Sequence, residues 1–181
     1  AVKENVRKNP HRMGKWSKDS ASHVSHMDHG DFYGSGRSAT LAQAGNLKIE
    51  LLATDGTVTV LKPRLAVKAG EIVDASVMSR KALAGFIAGQ IADAKARGVL
   101  FSLHLKATMM KVSDPIIFGH AVEVFFKELI AKHAATLKEL GVDFNNGFGD
   151  LVAKLDQLPA DKKAAIEADI KATYEAGPAL S

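Results

Sequence analysis

Apolar and polar positions alternate most clearly around Val99–Lys106. Val99, Phe101, Leu103 and Leu105 interleave with Leu100, Ser102, His104 and Lys106, a period of two that predicts a strand. The odd positions are all apolar, while the even ones turn polar toward Lys106, so one end of this strand is expected to meet water or a ligand. Asp114 and Pro115 follow as an expected N-cap and first helical residue. Ile117, Ala121, Phe125, Leu129 and Ile130 then recur at helical spacing. One helix is expected from Pro115 to Leu140, stopped by Gly141.

The same reading places the other elements. Leu47, Ile49 and Leu51 alternate with polar residues, Asp55-Gly56 supplies turn chemistry, and Val58 and Val60 continue beyond it, which predicts a hairpin. Lys62-Pro63 is expected to end its second strand. Glu71 to Val77 predicts another strand. Ser79 is placed to cap a helix whose buried face carries Leu83, Phe86, Ile87 and Ile91, and Gly98 to stop it. Asp150 to Leu158 predicts a short helix ended by Pro159. Residues 160–176 predict a last one, with Ile166, Ile170 and Tyr174 inward and Gly177-Pro178 as the stop. The order β-β-β-α-β-α-α-α points to an α/β or α+β fold, a mixed sheet with flanking helices.

Residues 1–45 break this regularity. Pro10, Gly14, Gly30, Gly34, Gly36 and Gly45 punctuate them, and a stretch so irregular is unusual inside a compact domain. Trp16, Phe32 and Tyr33 are its expected anchors. The chain is thus divided into an irregular, basic segment, 1–45, and an α/β domain, 46–181.

Composition changes the picture modestly. Of 181 residues, 46% are hydrophobic and 24% charged, ordinary for a globular domain. No apolar run approaches the roughly 18 residues that span a bilayer, and no signal peptide is expected from its first residues. With no cysteine, disulfides and thiol catalysis are excluded; an intracellular setting fits. The net charge is +4, and residues 1–40 hold seven Lys or Arg against four Asp or Glu. Such a balance suits a solvated segment or one that faces an anionic ligand. No aromatic-interleaved basic run resembles a nucleic-acid platform, and no phosphate loop or nucleophile elbow is present.

Lys106 is the principal candidate for chemistry. Ligands of open α/β sheets gather outside the carboxyl ends of strands, and here a lysine sits where a strand gives out, ahead of a capped helix. The alternative is an ammonium simply solvated at a strand end. His104 shares its face and is read as a core histidine or a hydrogen-bond donor beside the site. Lys111 could depress the Lys106 pKa by like-charge repulsion or be solvated. His23, His26 and His29 form an H-x-x-H-x-x-H series, but this spacing spreads imidazoles over a wide helical arc, and the nearby glycines oppose a helix. They are therefore read as structural or solvent-exposed rather than as metal ligands. Gly147-Phe148-Gly149 begins like a dinucleotide fingerprint but lacks the third glycine and the preceding strand, so it is read as a turn entering a helix.

Longer runs carry a resemblance. Asn9-Pro10-His11-Arg12-Met13-Gly14-Lys15-Trp16-Ser17, Ala69 to Ser79, Leu103 to Gly119 and Asn145-Asn146-Gly147-Phe148-Gly149-Asp150-Leu151 resemble an internal piece of the monomeric type of NADP-dependent isocitrate dehydrogenase, over essentially the whole chain. Lys106-Ala107-Thr108-Met109-Met110-Lys111 also resembles the lysine-bearing strand end of the dimeric isocitrate dehydrogenases. The resemblance implies part of the isocitrate/isopropylmalate dehydrogenase-like fold. It implies oxidative decarboxylation of isocitrate to 2-oxoglutarate with NADP reduction, a step of the tricarboxylic acid cycle, and a catalytic role for Lys106. Mg or Mn is implied as cofactor beside NADP, with the metal ligands and most NADP contacts outside this chain, so no residue here is assigned to either. It further implies a cytoplasmic parent that works as a monomer, with isocitrate, NADP and the remainder of the same polypeptide as partners, and neither nucleic acid nor membrane. The piece alone is expected to be inactive. Two other classes remain on the residues alone: a basic domain that uses residues 1–40 to hold an anionic partner, and a lysine enzyme that forms a Schiff base through Lys106.

Overall fold

The computed structural model describes residues 7–8, 15–105 and 113–181. After an irregular stretch from residue 15, a single helical turn, α1 (Phe32–Ser35), leads into β1 (Arg37–Thr40), β2 (Gly45–Leu52), β3 (Val58–Val67) and β4 (Ile72–Ala75). Helix α2 (Arg80–Arg97) follows. A second helical region holds α3 (Ser113–Phe125), α4 (Lys127–Lys132), α5 (Ala134–Glu139), α6 (Phe148–Lys154) and α7 (Ala160–Ala176), with 3-10 turns at Phe144–Asn146 and Leu155–Gln157.

Helix and strand together give the α/β content expected. The strands form two antiparallel ribbons, β1 with β4 and β2 with β3, and the one parallel pairing among the described residues is a bridge between Phe101 and Leu180. The β2–β3 hairpin forms where Asp55-Gly56 placed it: Thr57 N donates to Asp55 Oδ1 at 2.9 Å, and Gly56 takes φ +86°, a conformation that suits glycine. Lys62-Pro63 does not end β3, which runs on to Val67. The ribbon shifts register on either side of the Ile49–Lys62 pair. Proline, lacking an N–H, is tolerated at such an irregularity. β1 falls within residues 1–45 yet pairs with β4 well beyond them.

Helix ends follow local chemistry. The Ser79 side chain accepts from Ala82 N, and Gly98, at φ +64°, closes α2. Leu83, Ile87 and Ala94 make its buried face, with Phe86 and Ile91 half-buried. The single helix expected from Pro115 to Leu140 is in place, broken into α3, α4 and α5 at Phe126 and His133. The i to i−4 ladder passes through both, with Phe126 N donating to Val122 O at 2.9 Å and His133 N to Leu129 O at 3.0 Å. Both breaks fall where a side chain is held by distant contacts. Phe126 stacks on Phe148 at 4.2 Å between ring centroids, and His133 Nε2 meets Asp169 Oδ2 of α7 at 2.6 Å. Asp114 is not the N-cap; it lies in the first turn of α3 beside Pro115, where a carboxylate complements the helix dipole.

The main core is helical. Val122, Phe126, Leu129, Leu137, Phe144, Leu151, Leu155 and Ile166 form one cluster, and Tyr174 adds an edge-on contact to Phe126 at 5.4 Å. A second cluster joins Leu83, Ile87 and Ala121, with Phe101, Leu103 and Ile117 against it. The expected anchors of the first segment are not buried. Trp16 is 75% and Tyr33 97% exposed, and Phe32 is also at the surface. Leu51, Leu52, Val58 and Leu61 of the hairpin are exposed as well. No helix among the described residues is long and apolar enough to cross a membrane.

Two outcomes follow. Leu151, fully buried, cannot be truncated without a cavity: Leu151→Ala is expected to lower the unfolding free energy by about 2–5 kcal/mol, read by chemical denaturation. Asp169 ties α7 to the α4–α5 junction, and bonds from Lys132 and His133 hold its carboxyl below the ordinary 3.8. A depressed carboxyl contributes stability that is complete above the unfolded value and lost as pH falls through the lower folded one. Asp169→Asn should therefore flatten the acid limb of an unfolding titration below pH 4 and leave its shape at neutral pH unchanged.

Candidate functional site

The strand expected over Val99–Lys106 is reduced to its first part. Phe101 N donates to Ala179 O at 2.8 Å and Ser181 N to Phe101 O at 3.1 Å. Beyond this bridge, Ser102 to Leu105 have no ladder. A strand needs a neighbour for its backbone groups, and the C-terminal residues supply one only at Phe101. The alternation persists in the side chains, with Leu103 and Leu105 half-buried and Ser102 and His104 exposed. Leu103 packs on the Leu83–Ile87–Ala121 cluster. Lys106 and Lys111 lie outside the described residues, and the chain is described again from Ser113.

Where the segment 103–105 ends, a groove of about 430 Å³ opens. Leu103, His104 and Leu105 form one wall, Asp114, Pro115 and Phe118 of α3 a second, and Asn145, Asn146 and Gly147 a third. His104 is therefore not a core histidine. It is exposed because its strand face has no covering layer.

The third wall is held firmly. Gly119 of α3 is buried, and a Cβ there would come 2.5 Å from Asn145 Oδ1 and 3.1 Å from both Asn145 N and Phe144 C. Asn145 N donates to Asp143 Oδ1 at 2.9 Å, and Asp143 N to Asp150 Oδ2 at 2.8 Å. Lys154 Nζ bonds the same Asp150 oxygen and Gly141 O, both at 2.7 Å. The Lys154 bond, then the Asp143 N–H, keep the Asp150 carboxyl below its ordinary value. Gly147, at φ +82°, turns the chain into α6, so Gly147-Phe148-Gly149 serves as the turn expected. Asn145 and Asn146 stood out in the sequence only within the run that carries the resemblance; their place on the groove depends on α3 lying against them.

A second cleft, of about 560 Å³, lies between residues 22–25, α2 and residues 99–104. There His23 Nε2 lies 3.4 Å from Asp93 Oδ2, and Ser25 Oγ donates to Gln90 Oε1 at 2.5 Å. Among the described residues His26 pairs with its neighbours Met27 and Asp28, and His29 lines another cleft with Ser79, the cap of α2, and Lys81. The three histidines do not converge. Among the described residues, no group of three or more His, Cys, Asp or Glu is placed to hold a metal ion. The described residues do not fit a divalent cation.

Comparison with known proteins places this geometry. The family model of monomeric isocitrate dehydrogenase matches residues 1–181. All 181 residues align, at 58% identity, with 24% of a protein of Azotobacter vinelandii named isocitrate dehydrogenase (NADP). They align at 55% and 50% identity, again with 24% of each relative, with proteins of Colwellia maris and Mycobacterium tuberculosis named isocitrate dehydrogenase (NADP) 2. The chain belongs to the monomeric isocitrate dehydrogenase family. It spans about a quarter of the length of these relatives.

The Asp143–Asp150–Lys154 lock makes its own prediction. Asp150→Asn removes the carboxylate that grips both Asp143 N and Lys154, so backbone amides of Asn145 to Gly147 should exchange faster while those of α7 keep their protection. Hydrogen exchange read by mass spectrometry or NMR checks this.

Proposed function

We propose that this chain serves an NADP-dependent isocitrate dehydrogenase that converts isocitrate to 2-oxoglutarate and carbon dioxide. The observation that carries this reading is the match of all 181 residues to relatives of that name. It includes the Leu103–Gly119 stretch on which the sequence resemblance rests.

The reaction needs two proton movements. The substrate hydroxyl loses its proton as hydride passes from the same carbon to NADP, giving a ketone. Carbon dioxide then leaves, its bonding pair passes into an enolate, and the enolate takes up a proton to give 2-oxoglutarate. Lys106 is proposed as the group that handles a proton beside the substrate. A free lysine, with a pKa of about 10.4, is a poor base at neutral pH; partial burial or nearby cations lower it toward a useful range. The family's divalent metal, Mg or Mn, acts as a Lewis acid on the substrate oxygens when bound, through ligands proposed to lie outside this chain, as do most NADP contacts. The basic excess of residues 1–40 suits two polyanionic substrates. The enzyme is proposed to act as a cytoplasmic monomer.

The test is isocitrate-dependent NADPH formation by the full-length parent with Mn supplied, wild type against Lys106→Met. The substitution nearly preserves volume, so turnover should fall by about 100-fold or more, the scale of one general acid–base group, with the melting temperature unchanged. Full turnover in a folded mutant would remove Lys106 from the chemistry. An inactive wild type would overturn the assignment.

A further inference from the structure

Asn146-Gly147 is the one Asn-Gly step in the sequence, and the fold needs its glycine. Gly147 takes φ +82° where the chain leaves the Phe144–Asn146 turn for α6, a conformation that side chains rarely adopt. The residue after Asn146 therefore carries no side chain to shield its backbone nitrogen. Asn146 is itself exposed, and its amide makes no hydrogen bond among the described residues.

Two features keep this pair unreactive. Gly147 N donates to Phe144 O at 2.9 Å, which commits the nitrogen. The 3-10 conformation of Asn146 has a helical ψ, which keeps its side-chain carbonyl carbon out of line with that nitrogen. Both features are lost together when the turn opens. The turn is fastened by Asn146 N to Asp143 O at 3.0 Å, by Asn145 N to Asp143 Oδ1 at 2.9 Å, and by Asp150, which grips Asp143 N and Lys154. Local opening of such a unit sets the rate of chemistry that depends on it.

We propose that Asn146 is a site of intramolecular deamidation, gated by the Asp143–Asp150–Lys154 lock. Once the turn is open, Gly147 N gives its proton to solvent and attacks Asn146 Cγ. The N–Cγ bond forms, the bond to the side-chain nitrogen breaks, and that nitrogen leaves as ammonia. Water then opens the cyclic imide at either carbonyl, leaving aspartate or isoaspartate. The net reaction consumes a water and releases an ammonia, with no change of oxidation state. Isoaspartate adds a methylene to the backbone where α3 leaves no room even for a Cβ at Gly119, so the turn does not close again in its old form.

The experiment incubates the folded full-length enzyme at mildly alkaline pH and follows Asn146 by peptide mass spectrometry, with fragmentation that separates isoaspartate from aspartate. Hydrogen exchange of the Gly147 amide on parallel samples reports the opening. Asp150→Asn and Lys154→Met each remove a charge-assisted bond of the lock, so each should speed both exchange and deamidation about tenfold. Isoaspartate should appear in the product, and Asn145, whose successor carries a side chain, should keep its amide. Wild type unfolded in urea should react faster than the folded enzyme, a comparison that needs no variant to fold. Equal rates in folded and unfolded wild type, or deamidation unchanged in both variants, would overturn the gate. A product without isoaspartate, or equal conversion of Asn145, would overturn the intramolecular route.

Discussion

Helix α3 meets the Phe144–Asn146 turn with no room for a side chain at position 119. A methyl there would press on Asn145 Oδ1 and on the backbone at Phe144 and Asn145. Much of the helical half depends on that approach. It seats Phe144 in the cluster with Val122, Phe126 and Leu151 and brings Gly147 to the start of α6. It also sets Asn145 and Asn146 across from His104. Packed interiors transmit small displacements rather than absorbing them, so a fraction of an ångström at Gly119 is felt along the groove.

Around that contact the polar groups work as fasteners. Asp150 binds Asp143 N and Lys154 at once, and Asp169 receives both Lys132 and His133. Each joins separate segments of the helical region. The irregular residues before β1 are fastened in the same way. Gly30, at φ +74°, accepts from Ser79 N at 2.7 Å at the start of α2. Ser35 Oγ donates to Val77 O at 2.7 Å and accepts from Val77 N at 2.8 Å. Hydrogen bonds thus hold this segment to the surface where its aromatic residues do not.

The two ribbons stand apart from this economy. In β2 and β3 only Val67 is buried, although the strands are rich in leucine and valine. An isolated hairpin is marginal in water. Its register rests on the Asp55-Gly56 turn and the paired backbone rather than on a core beneath it.

What the sequence settled by itself is what local chemistry settles. Ser79 and Gly98 bound α2, Gly177 stops α7, and Asp55-Gly56 turns the hairpin, because each acts on neighbours in the chain. The long runs around Leu103–Gly119 and Asn145–Leu151 were enough to recognise the family. The strand ending at Lys106 was legible only as an alternation; its ladder stops at Phe101 because pairing is non-local and Leu180 reaches no further. Asp114 resembled a cap, yet α3 begins one residue earlier. The burial assigned to Trp16, Tyr33 and His104 failed because apolar or aromatic character does not say whether a covering layer exists. Only the tertiary structure decided that Asn146 faces one groove with His104 and Asp114, which lie in a different stretch of the chain. Their meeting is fixed by a missing side chain at Gly119, whose importance is invisible until a second backbone lies against it.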